Sequence, residues 1–176
     1  MIRAAILTLV FVIASVGLSR ADDVAGTIAL HRIDDEGIAS FAARFFYKRH
    51  PHPVNWSFAK RLRSEINWAE IVHDHAYAAD APIGDADRSV LIVVVDNPDW
   101  CEANGCLGDI FRKTPKGYEL ICETALPTPD VAPLSILPTI ENGYHDLATA
   151  DHAILWNERQ DFDSGQLCSI ESRSAQ

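Results

Sequence analysis

Histidine is the residue type in this chain whose spacing most directly indicates chemistry, because imidazole titrates near neutral pH and ligates transition metals. Among seven histidines, His50 and His52 are separated by a proline, and His73 and His75 by an aspartate. On a helix, His73 and His75 point about 200° apart and cannot share an ion. In an extended segment His50 and His52 project to the same side, so they are the candidate ligand pair. The alternative is that these histidines bind no metal and are ordinary polar residues of a loop and of a helix C-terminus, where the helix dipole favours them.

Two carboxylates at alternate positions, Asp85 and Asp87, precede the most apolar segment of the chain. In loops of the type D-x-[DN]-x-[DN]-G, oxygens at alternate positions converge on one hard cation. Two carboxylates beside Arg88 fall short of a calcium cage, so we expect a solvated loop. In a metal-binding alternative, Asp85 and Asp87 join His50 and His52 around a calcium or zinc ion. Apart from that divalent metal, the sequence indicates no cofactor.

The four cysteines form an even set, which in an exported chain indicates two disulfides. Three pairings are open, and we favour Cys101–Cys106 with Cys122–Cys168. The first closes a short loop in which Asn104-Gly105 can supply the turn. The second closes a long loop and ties the C-terminal segment to the sheet. The rival is a zinc site, but C-x4-C with two distant cysteines lacks its ligand spacing.

The loop around the short disulfide is the candidate partner-binding surface. It carries Asp96, Asp99, Trp100 and Glu102. A rigid loop with an aromatic side chain and several carboxylates is suited to capturing a basic protein. We therefore expect Trp100 to be exposed; the alternative is that its indole shields the disulfide.

No residue pattern in the sequence is typical of a catalytic centre, so we predict no catalytic residue. His145 and Asp146 are adjacent, and strand neighbours face opposite sides of a sheet, which places them poorly as a base and its orienting acid. The nucleophile motif G-x-S-x-G is absent. We expect Asp146 to bind backbone amides.

Residues 1–21 have the composition of a signal peptide, with a positive start at Arg3 and an apolar run over 4–18. Ser19-Arg20-Ala21 places small residues at the cleavage positions. The run is short for a membrane span, which needs about 20 residues, although an uncleaved anchor is the alternative. Cleavage predicts a periplasmic or secreted protein without membrane attachment.

The charge of the chain excludes two classes of partner. It has 15 Lys and Arg residues against 25 Asp and Glu residues, a net charge of −10, which becomes −12 without residues 1–21. Nucleic acid and anionic lipid both repel such a surface, so neither is a predicted partner. A cationic protein is the partner that this charge favours.

The first half of the mature chain has helical periodicity. Apolar residues spaced three and four apart predict a helix that begins after Asp34 or Asp35 and is stopped by the stretch Arg49-His50-Pro51-His52-Pro53. A second helix is predicted from about Ser57 to Ala78.

Beyond residue 88 the pattern is that of strands. Val90–Val95 is a continuous β-branched run and predicts a central strand buried on both faces. Thr114-Pro115-Lys116-Gly117 predicts a hairpin turn, and four prolines restrict residues 126–138 to loop or edge strand. Further strands are predicted over 107–112, 118–124, 145–150, 152–157 and 166–170.

These elements predict an α+β fold in one domain, residues 22–176. Two N-terminal helices, within about 35–78, pack on one face of an antiparallel sheet, within about 88–170, and disulfides staple the fold. We expect an exported, periplasmic, non-enzymatic binding protein, an inhibitor or immunity-type partner of a basic envelope protein. The alternative is the metal-binding envelope protein described above.

Several motifs together resemble a group of small exported bacterial proteins. They are an acidic turn before an apolar strand, then Trp100-Cys101-x4-Cys106, Gly117-Tyr118 and Gly143-Tyr144-His145-Asp146-Leu147. Members of that group carry an Asp-rich turn, a Cys-rich glycine loop and a late Gly-aromatic-x-Asp-Leu motif. The similarity covers about residues 80–157. It implies export and fold more than function, because the group has no well-established activity.

Overall fold

The computed structural model describes residues 25–50, 67–84, 88–157 and 166–173. The predicted signal peptide and the predicted ligands His52, Asp85 and Asp87 lie outside these residues. Neither α-helix in the described part is long and apolar enough to cross a membrane. The elements are β1 Gly26–Ile28, β2 His31–Arg32, α1 Glu36–Arg49, α2 Trp68–His75, β3 Ala76–Ala81, β4 Val90–Val95, a 3₁₀ turn Pro98–Trp100, β5 Cys101–Glu102, β6 Gly105–Thr114, β7 Gly117–Leu126, β8 Leu134–Glu141, β9 Tyr144–Ala148, β10 His152–Trp156 and β11 Cys168–Ser172.

The first predicted helix is confirmed at both ends. Asp35 is the N-cap of α1, and its carboxylate accepts a hydrogen bond of 2.9 Å from the backbone N–H of Ile38. The helix ends at Arg49, and His50 is the C-cap residue. The position of the C-terminal end of α1 therefore determines where the His50 side chain contacts the sheet.

The second helix is shorter at its C-terminal end than the sequence predicts. α2 stops at His75, and residues 76–81, which begin inside the predicted helix, form strand β3. An alanine-rich segment favours a helix in isolation, but here all six residues of β3 pair with β4. Tertiary pairing therefore overrides the local preference. The predicted helical residues before Asn67 lie outside the described ranges.

The strands form two antiparallel sheets, where the sequence led us to expect one. The helix-side sheet has the order β2-β3-β4-β6-β7, and short β5 pairs with the start of β6. The second sheet has the order β1-β8-β9-β10-β11. The predicted hairpin is confirmed: β6 and β7 pair through a turn between Thr114 and Gly117. The α+β class is also confirmed, with both helices on one face of the helix-side sheet.

Strand β8 departs from the expectation that prolines confine this region to loop or edge. It lies between β1 and β9 and contains Pro138. The pairing with β1 covers only residues 134–136, and the register with β9 shifts between Ile136 and Ile140. Pro138 therefore occupies an irregular stretch where its missing N–H breaks no regular ladder.

Strand β4 separates two hydrophobic cores, as the continuous apolar run predicts. Val90, Ile92 and Val94 face the core between the sheets, whereas the alternate residues face the core under the helices. All six residues are buried. The layers are thus helices, helix-side sheet and second sheet.

Both favoured disulfides are confirmed. Cys101–Cys106 joins β5 to β6 across directly paired positions, and Cys122–Cys168 joins β7 to β11. The backbone N–H of Leu167 also donates to the carbonyl of Ile121 at 2.8 Å. The long-range disulfide therefore links the two sheets at one edge of the sandwich.

Removing the inter-sheet disulfide should destabilise the protein more than removing the short one. The sequence separations are 46 and 5 residues. Loop-closure entropy of the unfolded chain then predicts losses of about 4 kcal/mol for Cys122→Ser/Cys168→Ser and about 2 kcal/mol for Cys101→Ser/Cys106→Ser. Urea unfolding of the two double variants and the wild type measures both values. Equal losses of stability, or a larger loss for Cys101→Ser/Cys106→Ser, would contradict this loop-entropy explanation.

Candidate functional site

The expectation that Trp100 is exposed is wrong. Its side chain is only 2% exposed and belongs to the core under the helices. The Asn97 side chain accepts a hydrogen bond from the Asp99 N–H, which closes the 3₁₀ turn Pro98–Trp100. Beyond it, the indole lies 4.5 Å from that of Trp68, measured between ring centroids. Trp100 therefore contributes packing rather than a contact surface.

The three acidic residues predicted with Trp100 differ in exposure. Asp96 and Asp99 are partly buried, and Glu102 is exposed. The Asp96 carboxylate lies within 4.8 Å of the sulfurs of Cys101 and Cys106. Because both sulfurs are in a disulfide, they are not thiolate ligands and this group is not a metal site. Glu102 is thus the member of the predicted surface that is most available to a partner.

Glu102 lines a groove at the end of the sandwich, which we call the acidic groove. Its volume is about 180 Å³, and it lies between the β5–β6 turn, the loop after β7 and the β9–β10 turn. Asp151 provides a second exposed carboxylate, and Val131, at 78% exposed, is the most exposed large hydrophobic residue in the described ranges. The lining residues include no lysine, arginine or histidine.

Backbone constraints hold the walls of the acidic groove. Gly105 has a φ of 137°, and a Cβ there would lie 2.8 Å from the carbonyl oxygen of Leu126. This position therefore requires glycine. The turn itself lies at Ala103 and Asn104, one residue earlier than the predicted Asn104-Gly105 pair, because Gly105 already belongs to β6 and pairs with Glu102. On the opposite wall, the Arg173 guanidinium donates to the carbonyl of Thr149 at 3.4 Å, and the Arg173 backbone N–H donates to the carbonyl of Asp151 at 2.8 Å, which holds the β9–β10 turn in place.

A second group of polar side chains lies between the helices and the sheet. It consists of His50, Asp109 and Glu123, which we call the buried acid cluster. Asp109 on β6 and Glu123 on β7 are direct cross-strand partners, and His50 reaches them from the end of α1. One ligand atom from each of the three lies within 4.8 Å of the other two. His50 Nε2 is 3.7 Å from Asp109 Oδ2, an ion-pair distance that is too long for a hydrogen bond.

The electrostatics of the buried acid cluster are dominated by burial. Asp109 is 0% exposed, and desolvation raises its pKa to about 6. His50 opposes this shift, the nearby Glu123 carboxylate adds to it, and Arg49 lowers the pKa. Arg49 Nε donates to Glu123 Oε2 at 3.0 Å. The carboxyl group of Asp109 therefore exchanges its proton close to neutral pH.

Sequence reasoning found one member of this cluster and missed two. His50 was predicted as a ligand, but its predicted partners lie outside the described residues, and the structure brings it to Asp109 and Glu123 instead. One signal was available: Asp109 stands among apolar and small residues in the predicted strand 107–112. The cross-strand position of Glu123 depends on the hairpin register, which the sequence alone does not give.

Asp146 and His145, which the sequence singles out as a possible acid and base, make structural hydrogen bonds instead. Asp146 accepts from Thr139 Oγ1 at 2.6 Å and from the backbone N–H of Trp156 at 3.3 Å, which confirms its predicted role. The His145 ring lies 2.9 Å from the carbonyl of Leu137, not on Asp146. These residues form no base and orienting-acid pair.

Comparison with protein-family models, curated proteins and solved structures finds no match to this chain. The resemblance to small exported bacterial proteins therefore stays a prediction, and the argument for function rests on the two sites themselves.

Asp109 should make the stability of the protein fall as the pH rises. Its pKa in the folded state, about 6, is above the ordinary aspartate value of 3.8, so its stabilising contribution is complete below pH 4 and is lost as the pH passes 6. The shift corresponds to a loss on the order of 3 kcal/mol. Asp109→Asn removes this titration. From pH 4 to pH 7, the unfolding free energy of the variant should therefore increase relative to that of the wild type. Both proteins are measured with a chelator present. A difference between the two proteins that does not change with pH would contradict the burial argument.

Proposed function

We propose that this chain is an exported, non-enzymatic binding protein that recognises a basic protein of the cell envelope. The observation that carries the proposal is the acidic groove. In it, two exposed carboxylates, Glu102 and Asp151, line a concavity beside the exposed side chain of Val131. The chain acts as an inhibitor or immunity-type partner by occupying a cationic surface of its target.

The size of the groove favours a protein side chain over a small-molecule substrate. Its volume is about 180 Å³, below the roughly 300–1,000 Å³ of typical small-molecule sites. A single lysine or arginine has an apolar stem that can pack on Val131 and a charged head that can pair with Glu102 or Asp151. The groove therefore suits one projecting basic residue of a larger partner.

Charge beyond the groove supports the same class of partner. The net charge of −10 attracts a cationic protein over distances of about 10 Å at moderate salt and increases its association rate. Asp130 is exposed in the loop that forms one wall, so it adds a third carboxylate near the entrance. Affinity should consequently fall as salt is added.

The two disulfides support the proposed location. Disulfides persist in oxidising compartments such as the periplasm and the extracellular space, and all four cysteines of the chain are paired. Together with the predicted signal peptide, they favour a periplasmic or secreted protein. A rigid disulfide also forms part of the groove, because Cys106 is one of its lining residues.

The direct test uses an isotope-labelled oxidised protein and an arginine- and lysine-rich peptide. Amide shifts should concentrate at residues 102–105, 131–132 and 150–151. Glu102→Gln/Asp151→Asn should weaken binding roughly fivefold, because each exposed pair contributes up to about 1 kcal/mol. The same double variant should also fail to retain, at low salt, the basic protein that the wild type captures from envelope extract.

The matched control removes the same charge elsewhere. Glu141 and Glu171 are exposed residues of β8 and β11 outside the groove. If Glu141→Gln/Glu171→Gln weakens binding as much as the groove variant does, the peptide responds to net charge alone and the groove assignment is wrong.

A further inference from the structure

Two carboxylates face each other in the buried acid cluster, and no cation among the described residues forms hydrogen bonds to both of them. Asp109 and Glu123 are paired across β6 and β7, and directly opposed like charges destabilise a sheet. Arg49 binds Glu123 Oε2 but makes no hydrogen bond to Asp109. The cluster is therefore arranged for a cation that reaches both carboxylates.

The buried polar atoms in the cluster have no hydrogen-bond partners among the described residues. These atoms are Oδ1 and Oδ2 of Asp109 and Nε2 of His50. Buried polar groups without partners are rare in folded proteins because each one costs its full desolvation. Asp109 is completely buried, so bulk solvent does not reach its oxygens. A ligand that binds nitrogen and carboxylate oxygen together would satisfy all three atoms.

We propose that His50, Asp109 and Glu123 are the protein ligands of a zinc-type transition-metal dication. One imidazole nitrogen and two carboxylate oxygens are ligands that such ions accept, and their atoms already lie within 4.8 Å of one another. Zinc binds such ligands at about 2.0–2.2 Å, so small side-chain movements bring all three into range. With a neutral imidazole, the two carboxylates balance the charge of the ion.

The ligand set discriminates between kinds of metal. Calcium and magnesium prefer all-oxygen sites with six or more ligands or several waters. Imidazole suits zinc and its neighbours in the first transition series. The calcium option that the sequence left open is therefore disfavoured at this cluster, whereas zinc fits.

The surroundings hold the three ligands in place. The His50 backbone N–H donates to the carbonyl of Phe46 at 2.8 Å, and its ring lies 5.7 Å from the ring of Phe46 and 6.2 Å from that of Trp100. Arg49 fixes one oxygen of Glu123. Outer contacts of this kind orient ligands and limit access of water to a metal.

The main alternative is a buried ion pair between protonated His50 and Asp109. At 3.7 Å, that pair leaves its buried nitrogen and oxygens without hydrogen bonds. In that arrangement Glu123 pairs with Arg49 alone, and the two carboxylates stay opposed across β6 and β7. Zinc binding distinguishes the two alternatives: a metal site binds zinc, and a buried ion pair does not.

The test is calorimetric titration of the oxidised, chelator-treated protein with zinc chloride at pH 7. One zinc ion should bind per chain. Asp109→Asn and Glu123→Gln should each weaken binding at least about tenfold. Glu123 is partly exposed, so its variant remains informative if Asp109→Asn unfolds. A thermal melt of each variant without metal verifies folding.

The matched control is an exposed histidine–carboxylate pair. His73 Nδ1 lies 2.6 Å from Asp74 Oδ1 on the surface of α2, where adventitious zinc would bind. His73→Asn should leave the affinity unchanged. The proposal is overturned if the wild type binds no zinc, or if the affinity depends on His73 and not on Asp109 and Glu123. It does not depend on the acidic groove, whose peptide-binding test involves none of these residues.

Discussion

Burial of strand β4 on both faces is the constraint on which the rest of the structure depends. Its even-numbered residues close the core between the sheets, and its odd-numbered residues close the core under the helices. A strand of this kind cannot reach solvent on either side, so a layer must cover each face. The helices supply one layer and the second sheet supplies the other, which the disulfide Cys122–Cys168 ties to β7.

This layering places the two proposed sites on different parts of strand β6. Cys106 faces the core between the sheets and adjoins the acidic groove, whereas Asp109 faces the helices. The groove is open and rimmed by solvated carboxylates, so its interactions are screened by salt. In the buried acid cluster Asp109 is fully buried and His50 and Glu123 are partly buried, so their charges interact more strongly than those of the groove. One strand thus contributes residues to both proposed sites.

The sequence predicted those features that local pattern determines. The cap at Asp35, the buried run Val90–Val95 and the turn before Gly117 each have a local physical cause. Of the three disulfide pairings that the sequence left open, the favoured one is formed. Features set by long-range pairing were not predictable in this way. β3 is a strand only because β4 lies beside it, and Glu123 meets Asp109 only through the hairpin register. Trp100 was misjudged because burial of its ring depends on the position of Trp68.

The central claim is that the fold carries two independent cation sites, one for a protein side chain and one for a metal. Amide spectra of a single labelled sample, recorded after addition of zinc and then of a basic peptide, test it most directly. Zinc should shift residues around His50, Asp109 and Glu123, and the peptide should shift a separate set around Glu102 and Asp151. A single shared set of shifts, or no response to either addition, would contradict the account.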